Sequence, residues 1–320
     1  MEKKLKFLRG LGRIGLLAAL SGCIKISPAI PSWPVAPQGE LTLAAADDFI
    51  IQAQINGHPV RLRVETGYSG VIVNPDVAAR VGLVRSMWEN DVLVGPVLVQ
   101  GETGMAPLVI GTARDRRRIV WFEKNITTGA DGIINIASLP YSTVTLQLAP
   151  PGGDETSFEL RTSPNRFWSV TYDHKVGDRE VEVRFALDAS HTLLTAAAGA
   201  HLATQNGGTW AGDASQQRVG FGVSRPARPM QFARPVTFAG FLIDRAVVRT
   251  SDFRGGPTNV LPDAGVADRS EIVVTGPHQK SRPLFTAIIG RDYLSTCSSI
   301  RYSTSARLLT LRCGRGHSGY

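Results

Sequence analysis

Three features of the sequence predict an all-β fold built from two homologous lobes. Short runs alternate apolar and polar residues along most of the chain, and Gly, Asn-Gly and Gly-Asp turns break them up. The order strand, tight turn, strand, acid-x-small, apolar run and short helix occurs twice, with its acids Glu65 and Asp188 lying 123 residues apart. A period that long is not a solenoid and points to a duplicated lobe. Between the two occurrences stands Pro150-Pro151-Gly152-Gly153, the clearest boundary in the chain.

With 320 residues, 43% hydrophobic and 19% charged, the chain has the balance of a globular protein able to bury a sizeable core. Its first 22 residues read as a secretory signal: Lys3, Lys4, Lys6, Arg9 and Arg13, then the apolar run Ile14 to Leu20, then small residues. That run is too short to span a bilayer. Leu20-Ser21-Gly22-Cys23 resembles the lipobox of bacterial lipoproteins; the alternative is an ordinary signal with an incidental cysteine. The resemblance implies lipidation at Cys23 and a periplasm-facing place in the bacterial cell envelope, anchored by acyl chains. Residues 23–40 carry Pro28, Pro31, Pro34 and Pro37 without periodicity and read as a tether.

Outside Cys23 the cysteines are Cys297 and Cys313, an even pair that predicts a disulfide in an oxidising compartment. No CxxC spacing occurs, and His58, His174 and His201 lack ligand spacing, so neither a metal nor a cofactor is expected. The formal charge of +8 falls to about +4 without the leader, too little to indicate nucleic acid. Arg114 to Arg118, interrupted by Asp115, reads as a solvated hairpin face, with anionic lipid headgroups as the second reading.

The N-terminal lobe is expected over 41–149. Two strands flank Asn56-Gly57, and the second alternates Val60, Leu62 and Val64 with Arg61 and Arg63 before ending on Glu65-Thr66-Gly67. Asn74-Pro75-Asp76 opens a short helix to Arg80 that Gly82 ends. Strands follow at 92–99, 108–110, 119–122, 130–135 and 143–148. The C-terminal lobe is expected over 156–313. Its strands at 167–172 and 180–187 flank Gly177-Asp178, and the second ends on Asp188-Ala189-Ser190. A helix at 196–202 and strands at 219–223, 236–243, 272–274, 287–290 and 307–312 complete it. Each lobe later carries a twin-isoleucine strand, Ile133-Ile134-Asn135 and Ile288-Ile289-Gly290.

These residues resemble the aspartic protease superfamily, both its two-lobed pepsin-like members and its bacterial retropepsin-like members, over roughly residues 47 to 313. The resemblance implies a bilobal aspartic-protease-like (acid protease) fold of two β-barrel-like lobes. Glu65 and Asp188 would be the catalytic carboxylates, and Thr66, Gly67, Ala189 and Ser190 would shape the substrate-binding loops. Two carboxylates held close cannot both ionise; one serves as base to a water while the protonated one polarises the scissile carbonyl. The sequence departs from the family pattern at Glu65, Ala189, Ser190 and Asn135. The implied partner is an extended peptide or unfolded protein, bound by a monomer whose own lobes supply both acids. The alternative is a catalytically inactive peptide-binding protein that kept the cleft. His191 reads as a rim residue, and Tyr68 and Trp88 as core or cleft wall.

Overall fold

Asn56 and Gly57 both take positive φ, 51° and 81°, the conformation a two-residue hairpin needs. In the computed structural model, which describes residues 33–94, 97–163, 170–251 and 284–314, this turn joins the first long hairpin. The signal segment, Cys23, most of the tether and the expected strand at 272–274 lie outside the described residues. The first half holds β1 Gln38–Ala44, β2 Ile50–Ile55, β3 His58–Glu65, β4 Val71–Val73, helix α1 Pro75–Arg80, β5 Val92–Val94 and β6 Val97–Val99. It continues with β7 Gly101–Ile110, β8 Ala113–Phe122, β9 Gly132–Asn135, β10 Tyr141–Gln147 and β11 Glu155–Arg161.

The second half opens with β12 Thr171–Val176, β13 Arg179–Phe185, β14 Leu193–Leu194, helix α2 Ala196–Asn206, β15 Gly208–Trp210 and β16 Ser215–Gly220. After these come β17 Val223–Phe238, β18 Phe241–Arg249, β19 Thr286–Ile289, helix α3 Arg291–Leu294, β20 Cys297–Ser303 and β21 Leu308–Gly314. The chain is all-β with short helices, and no helix among the described residues is long and apolar enough to cross a membrane.

One pairing scheme is used twice. In the first half β3 runs parallel to β9, β9 antiparallel to β4, β4 parallel to β8, and β8 antiparallel to β7. The pairing of β7 with β2 closes a six-stranded barrel. In the second half β13, β19, β14, β18 and β17 repeat those relations in an eight-stranded sheet that stays open. A further five-stranded sheet, in the order β1, β10, β20, β21, β11, takes strands from both halves. Apolar residues of the barrel, the shared sheet and the open sheet form one contiguous core.

The pairing register corrects the match between the two acids. Val64 pairs with Ile134 and Phe185 with Ile289, while Ile72 pairs with Ile133 and Leu193 with Ile288. From Val64 to Phe185 and from Ile72 to Leu193 the repeat is 121 residues, so the counterpart of Glu65 is Ala186. Asp188 falls where the first half has Gly67. Strand β13 stops at Phe185, short of the expected Leu187.

Two expected strands are instead hairpin turns. Phe221 and Gly222, with φ of 49° and 71°, divide the run at 219–223 into β16 and β17. Ala239 and Gly240, at 51° and 85°, divide the run at 236–243 into β17 and β18. Cys297 and Cys313 are directly opposed on β20 and β21 and form the expected disulfide.

Candidate functional site

Strand β3 delivers Glu65 on the same side as Arg61 and Arg63, yet Glu65 is 3% exposed because the strand ends inside the molecule. Its Oε2 has no hydrogen-bond partner among the described residues. Burial in a low-dielectric site pushes the carboxyl up to about 8, with the nearby charge of Asp188 and then that of Asp48 adding to the rise and Arg63 opposing it. At neutral pH Glu65 therefore carries its proton. The Arg63 guanidinium is held by Asp48, by the Thr127 hydroxyl at 2.6 Å and by the Thr128 carbonyl at 3.0 Å.

Asp188 lies in the turn after β13 and is exposed. Several backbone bonds fix that turn: Ala186 N–H donates to the Ile289 carbonyl at 3.0 Å, and Arg291 N–H at the start of α3 donates to the Ala189 carbonyl at 2.8 Å. Ser190 contributes its carbonyl to Asp292 N–H at 3.2 Å, and the Asp292 carboxylate accepts from the Thr192 amide and hydroxyl at 2.8 and 2.9 Å. Glycine is required at 290, where a Cβ would lie 2.5 Å from the His191 carbonyl carbon.

Asp188 borders two cavities. One, of about 410 Å³, is shared by Asp188 with Glu65, Arg63, Asp48 and Arg291. The other, of about 520 Å³, brings Asp188 together with Gly67, Tyr68, Ala189, Ser190 and His191. The Tyr68 hydroxyl donates to Asp188 Oδ2 at 3.1 Å, and burial together with that carboxylate raises the Tyr68 pKa, so it remains a donor. The structure thus brings Glu65 and Asp188 to one cavity wall and places Gly67, Ala189 and Ser190 on the other side of Asp188.

Thr66 is absent from both cavity walls. It is fully buried, and its hydroxyl donates to the Phe185 carbonyl at 2.6 Å, tying the loop after β3 to the end of β13. Asn135 has φ of −67°, so it makes no use of asparagine's tolerance for positive φ. Its side chain instead donates to the carbonyls of Thr66 and Tyr68 and accepts from Ala137 N–H at 2.8 Å, bracing the turn that follows Glu65.

The sequence reading did not single out Glu182, Arg184 or Phe221. Glu182 and Arg184 are an ion pair two residues apart on β13, and both line the larger cavity. Val181, Val183 and Phe185 alternate with them without a break, so the sequence marks Glu182 and Arg184 as a wet face and carries no signal that Glu182 is buried. Phe221, at the tip of the β16–β17 hairpin, packs edge-on against Tyr68 at 5.5 Å and Phe122 at 5.0 Å between centroids, roofing the same cavity from the second half. Among the described residues, no group of three or more His, Cys, Asp and Glu is arranged to hold a metal.

No protein-family model and no curated protein matches the chain. Among solved structures it is similar to one described as EIAV protease complexed with the inhibitor HBY-793, at 13% identity. The match covers 27% of this chain and 79% of that one, with a TM-score of 0.22.

Proposed function

We propose that the chain hydrolyses peptide bonds with Glu65 and Asp188 as a carboxylate pair, acting on an extended peptide laid along the two cavities that meet at Asp188. The observation that carries this reading is Glu65: a buried carboxyl still protonated at neutral pH, on the wall of a cavity it shares with a second acid. In that role Asp188 takes a proton from a water as its oxygen attacks the scissile carbonyl carbon, and Glu65 gives its proton to the carbonyl oxygen. Collapse of the tetrahedral intermediate returns that proton to Glu65, and Asp188 passes its own to the leaving amine. The Tyr68 hydroxyl orients Asp188.

The test is cleavage of an unfolded protein by the full chain from acid to mildly alkaline pH, beside Asp188→Ala and Glu65→Gln. Activity is expected to fall as pH rises through about 8, where Glu65 loses its proton, and to vanish in both variants. Cleavage that survives in Asp188→Ala sinks the assignment.

A second reading, a peptide binder without catalysis, is favoured by the register that aligns Ala186, not Asp188, with Glu65. Peptide binding by the wild type without cleavage at any pH, retained in Asp188→Ala, selects it.

A further inference from the structure

The outer face of the β7–β8 hairpin is unusual in what it leaves in water. Its cross-strand pairs there are Met105 with Arg118, Pro107 with Arg116 and Val109 with Arg114, each an apolar residue beside an exposed arginine. Met105 is 44% exposed. At one end of this face the Thr103 hydroxyl donates to the Trp88 carbonyl at 2.6 Å and meets the Ser86 hydroxyl at 2.7 Å, seating the segment that carries Met87 and Trp88. Those two side chains are 90% and 62% exposed, and neither lines a cavity of the candidate site. The neighbouring acids are already engaged: Arg85 pairs with Glu89 and Glu102, and Asp115 with the buried Arg117.

We infer that this face docks on an anionic lipid bilayer, with Met87, Trp88 and Met105 entering the headgroup boundary and Arg114, Arg116 and Arg118 contacting lipid phosphates. Tryptophan favours that boundary because its ring is apolar and its N–H is polar. Arginine beside an anionic leaflet adds Coulombic attraction that salt weakens. A bilayer supplies apolar matter and anionic charge in adjacent layers, which is the pairing this face presents.

The test uses the full chain with vesicles of phosphatidylcholine alone or mixed with phosphatidylglycerol. The basic N-terminal segment is common to every variant, so differences between variants report the face. The triple variant Arg114→Ser, Arg116→Ser, Arg118→Ser is expected to bind the anionic vesicles about a hundredfold more weakly than wild type. It should keep the wild-type melting temperature, because the three side chains are exposed. Brominated lipid should quench wild-type tryptophan fluorescence more than that of Trp88→Phe. Equal anionic-vesicle binding by wild type and the triple variant, or equal quenching in Trp88→Phe, overturns the inference. So does a dimer in sedimentation that Met87→Glu disperses, which would assign the face to a second copy of the chain.

Discussion

A carboxyl buried with one oxygen unpartnered is tolerated in its neutral form and penalised in its charged form. Glu65 meets that description, and its folded-state value of about 8 stands well above the ordinary 4.5. Between those values the folded chain holds a proton that the unfolded chain has released, so stability falls as pH rises through this window. Below the window Glu65 costs nothing by ionisation. Above it the cost approaches an upper limit on the order of 5 kcal/mol. Glu65→Gln keeps the size and cannot ionise, so its melting temperature should lose this part of the decline between pH 4.5 and 8. A variant whose decline over that range parallels the wild type would show that Glu65 ionises freely in the folded protein.

At the scale of elements, the two loops that present the acids are joined by one buried bond, Thr66 Oγ1 to the Phe185 carbonyl. Thr66→Val preserves the branched shape, removes the donor and strands a buried carbonyl, so it should cost about 1–3 kcal/mol. Denaturant unfolding checks this, and a variant as stable as wild type would mean that the bond contributes nothing net. The strands themselves were legible because Val60, Leu62 and Val64 alternate with Arg61 and Arg63, and the repeated order of elements was legible from the twin-isoleucine strands. The register was not. Shifting a strand by one residue reverses its faces, but shifting it by two preserves them, so a repeat of 123 reads from alternation as well as one of 121. Glu65 therefore aligns by sequence with Asp188 and by pairing with Ala186. The two interrupted strands fail for a different reason: Phe221 and Ala239 are apolar residues at positive φ that continue the strand pattern, and the turn signal lies only in the glycine that follows each, Gly222 and Gly240.

At the scale of the whole molecule, the halves are joined by the five-stranded sheet, in which β10 pairs with β20 and β11 with β21. Thr143 and Ser303 are partners there, and a pairing across so much sequence leaves no local trace in composition or periodicity. The disulfide sits in this sheet, between directly opposed residues that are each 1% exposed. Cross-linking two positions 16 residues apart restricts the unfolded chain and is worth about 3 kcal/mol in the chain-entropy account. Replacing Cys297 and Cys313 together with Ala avoids burying two new hydroxyls and should lower the melting temperature by an amount matching that loss. Reductant should bring the wild type down to the level of the double variant and leave the variant unmoved. If oxidised wild type and the variant melt together, the sheet's own pairing, and not the cross-link, holds β20 and β21 in register.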